Sequence, residues 1–129
     1  MADADAPPSV NCLMLVTWPE RRAMIQQAIA SYVQQDYPHR TLTIVNDGAP
    51  CRLSDAFERV GCRGRVIAAP RGASIGEKRN IGAAAEPTAE FIASFDDDDF
   101  SLPSRLSTHV ARIGAVRWNA SRLNAKRAL

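Results

Sequence analysis

No stretch of this 129-residue sequence reaches the roughly 18 consecutive apolar residues that span a bilayer. The opening, MADADAPPSV, is acidic and Pro-containing, a composition that excludes a secretory signal or a transit peptide. Cysteine is scarce. Cys12, Cys51 and Cys62 are odd in number and fit no zinc spacing, which argues against a disulfide scaffold and a structural zinc site. Cys12 lies inside a hydrophobic run and is expected as a small core residue. Together these absences point to a soluble chain in a reducing compartment, most simply the cytoplasm. Histidine is scarcer still: with only His39 and His109, Cys–His nucleophilic catalysis has no supporting constellation. Acid is missing from the last thirty positions, since nothing after Asp99 carries a carboxylate side chain. Residues 1–111 hold 11 basic and 14 acidic side chains, whereas Arg112, Arg117, Arg122, Lys126 and Arg127 follow with no acid among them. A tail of this kind can touch a membrane surface or a polyanion, but it reads here as a solvated helix or frayed end, and nucleic acid is not an expected partner.

The glycine-rich phosphate cradles are missing too. No G-x-G-x-x-G follows the first apolar run, which leaves dinucleotide binding without support. GASIGEKR (72–79) falls short of a P-loop: three residues separate Gly72 from Gly76, Glu77 precedes Lys78, and Arg79 stands where a hydroxyl is needed. Nor is the acidic run at 96–99 a calcium loop, because Phe100 and Ser101 occupy positions that need a ligand and a turn glycine.

What is present is an alternation. Hydrophobic residues make up 46% and charged residues 23%, as in one ordinary folded domain. VNCLMLV (10–16), TLTIV (41–45), RVIAA (65–69) and EFIASF (90–95) have the length and β-branched content of buried strands. Between them, RRAMIQQAIASYVQQ (21–35) places Met24, Ile25, Ala28, Ile29, Tyr32 and Val33 on one helical face. LSDAFERV (53–60) reads as a short helix capped by Ser54, SIGEKRNIGAAA (74–85) as loop into helix, and LPSRLSTHVARI (102–113) as a helix with Pro103 in its first turn. There is no internal repeat and no low-complexity segment. Strands alternating with helices imply right-handed crossovers and a parallel α/β sheet covered on both faces.

Ligands of such sheets sit at the carboxyl ends of the strands, where strand order reverses. Three polar clusters fall at these ends: Thr17 and Trp18 after the first strand, Asn46–Asp47–Gly48 after the second, and Asp96–Asp97–Asp98–Asp99 after the fourth. A strand order of 3-2-1-4 brings all three into one cleft. Four adjacent carboxylates repel one another, and a divalent cation is the usual compensation. Asp96 and Asp98 alternate along an extended segment, so both can offer hard oxygen ligands to Mn²⁺ or Mg²⁺, which in turn stabilises a departing diphosphate. Asp47 can accept a hydrogen bond from a base or sugar, and Trp18 offers a ring face. Lys78 and Arg79 bring positive charge toward phosphates. Each feature also has a plain structural reading: a solvated Asp turn, an Asn-Asp-Gly turn, a packed Trp, two solvated helical cations. Their conjunction at three strand ends favours a site.

The stretches CLMLVTW, IVNDG, GEKRNIG and DDDDFSLPSRL, in that order, resemble the nucleotide-binding half of the family-2 glycosyltransferases over residues 10–113. The resemblance implies a Rossmann-like GT-A fold with a parallel sheet of about four strands, truncated relative to the family. It implies a leader over 1–9, a nucleotide-sugar-binding domain over 10–113 and a basic tail over 114–129. Thr17 and Trp18 then line the base pocket, Asp47 contacts the base or ribose, and Arg79 and Asn80, near Gly76 and Gly82, lie beside the nucleotide. Asp96 and Asp98 match the two acids of the D-x-D motif, with Asp98 the first choice as metal ligand and Asp97 a further member of the site. The implied cofactor is Mn²⁺ or Mg²⁺, the donor a UDP- or GDP-linked sugar, and the reaction transfer of that sugar to an acceptor hydroxyl. The chain departs from the family in two places. WPERR follows Thr17 where an Asn-Arg pair is common, and no acid after Asp99 offers a general base, so no catalytic residue is named. A non-catalytic nucleotide-sugar-binding or interaction module on the same fold is therefore the alternative expectation, and a poorly folding fragment with an exposed sheet edge the third.

Overall fold

A computed structural model of the chain describes residues 7–50, 64–96, 101–114 and 127–128. Four strands and three helices alternate: β1 (Val10–Val16), α1 (Arg22–Val33), β2 (Arg40–Asn46), β3 (Gly64–Ala68), α2 (Ile75–Ala84), β4 (Phe91–Ser94) and α3 (Arg105–Gly114). A two-residue strand, β5 (Arg127–Ala128), joins the far edge. The helix expected at 53–60 and most of the basic tail lie outside the described residues.

All pairings are parallel, and the strand order is β3-β2-β1-β4-β5. β1 is therefore central, with Cys12 opposite Leu42 on one side and Ala93 on the other. A strand flanked and covered on both faces reads as a continuous apolar run, which is what VNCLMLV is. Strand alternation sends Val10, Cys12, Met14 and Val16 of β1, Leu42 and Ile44 of β2 and Phe91 and Ala93 of β4 into a core shared with α1 and Leu106 of α3. The opposite face carries Leu13 and Val45, and α2 packs there through Gly82. A Cβ at that glycine would lie 2.9 Å from Leu13 Cδ2 and 3.1 Å from Val45 Cγ2. Helices thus cover both faces, as in a doubly wound sheet.

α1 buries Ile25, Ala28, Ile29 and Tyr32, while Val33 is partly buried. Met24, expected on this face, is 48% exposed. At 100° per residue it sits on the flank of the stripe. Ser31 is buried for a reason that spacing does not reveal. Its hydroxyl donates to the Ser101 carbonyl and accepts from the Ser101 N–H, each at 2.9 Å, fastening the segment before α3 to α1. Ser31→Ala orphans both backbone groups, so a loss of about 1–3 kcal/mol in urea unfolding is expected. A change near zero would mean that water replaces the hydroxyl without cost. The end of α1 is closed by Arg40, whose guanidinium donates to the Tyr37 and Val33 carbonyls at 2.6 and 3.0 Å and stacks 4.9 Å from the Tyr32 ring.

Two further side chains pin the layers together. Asn11 Nδ2 donates to the Gly82 carbonyl at 3.1 Å, and Thr43 Oγ1 donates to Asn11 Oδ1 at 2.8 Å. These buried polar groups are paired, as a dry interior requires. Cys12 is fully buried, and that burial pushes its thiol up to about 12, leaving it an inert core residue as expected. Among the described residues, no helix is long and apolar enough to cross a membrane.

Candidate functional site

The carboxyl ends of β1, β2 and β4 converge because β1 lies between β2 and β4. At the end of β2, Asn46 works as a bracket. Its Oδ1 accepts from the backbone N–H groups of Trp18 and Gly48, both at 2.9 Å, and its Nδ2 donates to the Ala49 carbonyl at 2.9 Å. Two backbone bonds complete the seam: Asp47 N–H to the Val16 carbonyl at 3.2 Å, and Ala49 N–H to the Trp18 carbonyl at 2.8 Å. The Asn-Asp-Gly sequence is thus more than a turn. It is stitched to the residues that follow β1.

That seam places Asp47 against Thr17, whose Oγ1 donates to Asp47 Oδ1 at 2.6 Å. From the other face of the sheet, α2 delivers Lys78. Its ammonium lies 2.8 Å from the same Oδ1, 3.3 Å from the Val16 carbonyl and 3.5 Å from Thr17 Oγ1. Lys78 and Asp47 are both buried. The Lys78 hydrogen bond, followed by that of Thr17, holds the Asp47 carboxyl below the usual aspartate range against the opposing effect of burial.

Thr17 and Lys78 also line a cleft of about 400 Å³ with Glu20, Arg21, Arg79 and Asp96, the apolar part being Leu15 and Ile75. Asp47 does not line the cleft itself and adjoins it through its two partners. Arg21 heads α1 with φ 57°, a left-handed conformation uncommon for a side-chain-bearing residue. Trp18 precedes a cis Pro19, packs partly against the core and has the Arg22 guanidinium 5.8 Å from its ring centroid. A larger opening of about 550 Å³ runs beside α3, lined by Ser101, Arg105, Thr108, His109 and Arg112, but by none of these strand-end residues.

Thr17, Arg79 and Asp96 are therefore brought to one cleft, with Asp47 bonded to its wall. Asn80 is exposed on α2 and is not among the lining residues. Asp97, Asp98 and Asp99 lie outside the described residues. Among those described, no three His, Cys, Asp or Glu side chains gather as a metal group. Sequence reasoning treated Lys78 as a free charge for phosphates, whereas its ammonium turns inward. A signal was available. Gly82, one turn later, marks the helix stripe pressed on the sheet, and a residue four positions earlier shares that stripe. Glu20 and Arg21 were not singled out, because their place in the cleft depends on the loop between β1 and α1.

A 3-2-1-4 parallel sheet clothed by helices, with polar clusters at three strand ends, is the fold class of the GT-A nucleotide-diphospho-sugar transferases. The chain belongs to glycosyl transferase family 2, whose pattern matches residues 12–117. No curated protein matches the sequence. Among solved structures, S. aureus TarS 1–349 in complex with UDP is 17% identical with a TM-score of 0.71, over 83% of this chain and 32% of that one. The same protein in complex with UDP-GlcNAc is 17% identical with a TM-score of 0.71, over 83% and 31%. The mannosyltransferase PcManGT from Pyrobaculum calidifontis, in complex with GDP-Man and Mn²⁺, is 18% identical with a TM-score of 0.59, over 88% and 33%. The chain spans about a third of the length of these proteins.

Proposed function

We propose that this chain binds a nucleotide-diphosphate sugar at the strand-end cleft and serves as the donor-binding part of a glycosyl transfer to an acceptor hydroxyl. One observation carries the reading: Thr17, Lys78, Arg79 and Asp96, from three separate segments, line a single cleft with Asp47 bonded to its wall. Structural neighbours held with UDP, UDP-GlcNAc or GDP-Man support the same ligand class. In this reading Asp47 receives the base or ribose, Thr17 and Trp18 border the base, and Arg79 and Asn80 lie along the nucleotide.

The donor set suits a hard divalent cation. Asp96 reaches the cleft at the head of an all-carboxylate run, whereas the described soft donor, Cys12, is buried with its thiol pushed up to about 12. Asp96 and Asp98 would hold Mn²⁺ or Mg²⁺, and such an ion supplies Lewis-acid stabilisation of diphosphate charge. Meanwhile Lys78 neutralises Asp47, so that a dianionic ligand meets a paired carboxylate rather than a bare one. An odd number of cysteines, with Cys12 free and buried, fits the cytoplasm as the compartment, which we include in the proposal.

Calorimetric titration with UDP and with GDP, with and without Mn²⁺, tests the reading. Binding that requires the metal and falls at least about tenfold in Asp98→Asn is the expected outcome. No heat with either nucleotide, from a chain that melts cooperatively, sinks it.

A further inference from the structure

Lys78 is the one described side chain that ties α2 to the ends of both β1 and β2. Its ammonium reaches the Val16 carbonyl, Thr17 Oγ1 and Asp47 Oδ1, and it is only 7% exposed. Ordering a long lysine side chain and stripping its water is unfavourable unless the partners are well placed. Here they are, and they share an arrangement. Thr17 and Lys78 both bond to Oδ1 of Asp47, while neither bonds to Oδ2. Two contacts on one oxygen therefore hold the carboxylate, and neither of them takes up Oδ2.

We propose that Lys78 is a positioning residue for the nucleotide: it fixes the ionised Asp47 carboxylate through Oδ1, so that Oδ2 is presented to a hydrogen-bond donor on the bound base or ribose. The proposal rests on the nucleotide-binding reading above and assigns Lys78 a role through Asp47 rather than through the phosphates. This distinguishes Lys78 from Arg79, whose exposed guanidinium borders the cleft and is available to phosphates directly. A donor accepted by an already oriented carboxylate loses less freedom on binding, which is how positioning raises affinity.

A double-mutant cycle on the full chain, with UDP as probe in the presence of Mn²⁺, separates the two routes. Asp47→Ala and Lys78→Met are each expected to weaken UDP binding by about tenfold or more. The double variant is expected to bind no more weakly than Asp47→Ala alone, because Lys78 has nothing left to position. Losses that multiply in the double variant would place Lys78 directly on the ligand and overturn the proposal, as would Lys78→Met binding UDP as tightly as the wild type. Should Lys78→Met alone fail to fold, the double variant, which leaves no unpaired buried charge, still decides. Further weakening beyond Asp47→Ala overturns the proposal, and equality supports it. Absence of UDP binding by the wild type removes the nucleotide-binding reading and this one with it, whereas wild-type binding with an additive cycle removes this one alone.

Discussion

Gly48→Ala is expected to destabilise the chain by about 3 kcal/mol or more and to abolish the assembled strand-end cluster. A Cβ at this position would lie 2.2 Å from the Trp18 carbonyl oxygen, 2.6 Å from the Trp18 nitrogen and 2.8 Å from the Thr17 carbonyl carbon. All three are backbone atoms, so no rotamer change relieves the overlap. The seam must part, and the bonds from Asn46 Oδ1 to the Trp18 and Gly48 N–H groups part with it. Thr17 and Asp47 then lose their 2.6 Å contact. Gly76→Ala is the control. Its nearest heavy neighbour is Ser74 Oγ at 3.9 Å, and it lies in the first turn of α2, so a neutral or stabilising change of up to about 1 kcal/mol is expected. Urea unfolding of both variants gives the comparison. A Gly48→Ala midpoint equal to the wild type would mean that the β1 and β2 ends are not joined as described.

Lys78→Met is expected to cost about 3–5 kcal/mol at neutral pH, because it leaves Asp47 charged and buried without its cation. The pH dependence carries a sign that a simple packing defect would lack. In the wild type the folded Asp47 titrates below its unfolded value of about 3.9, so its contribution is fully present above that value. As pH falls through the unfolded and then the folded pKa, protonation removes it. In Lys78→Met the largest cause of the lowering is gone, while the Thr17 hydrogen bond still lowers the carboxyl and burial opposes it, so the lowering shrinks. The gap between the two proteins should therefore narrow as pH is lowered from about 5 toward 3, because the wild type has the larger lowering to lose. Urea midpoints of the two proteins across this range test the claim. Parallel curves would show that Lys78 does not lower the Asp47 carboxyl.

Much of the fold was legible because the sheet is buried on both faces. β1 coincides with VNCLMLV, and β2 extends its predicted run by one residue at each end. The strand order that made the site hypothesis specific is the order observed, since right-handed crossovers leave few alternatives. The errors have local causes. Met24 has the spacing of α1's apolar face but lies on its flank. Ser31 has no apolar character, and its burial depends on a partner seventy positions away. The Thr17–Asp47–Lys78 cluster was half visible. Its members stood out by residue type, but the direction of the Lys78 ammonium is set by how closely Gly82 lets α2 approach the sheet. The Asp47 turn, in contrast, could be placed at a strand end from IVNDG alone.

The central position of β1 also bears on how the chain emerges from the ribosome. β1 precedes both of its neighbours, β2 and β4, in the sequence and lies between them in the sheet, so its two edges are filled at different times. One edge can pair once Asn46 has emerged, but the other must wait for Phe91–Ser94. At about 5–20 residues per second, that leaves an apolar strand half paired for several seconds. The nascent β1–β2 pair is thus the species most open to capture by a chaperone or to wrong edge pairing, and the strand-end cleft cannot form until β4 closes that interval.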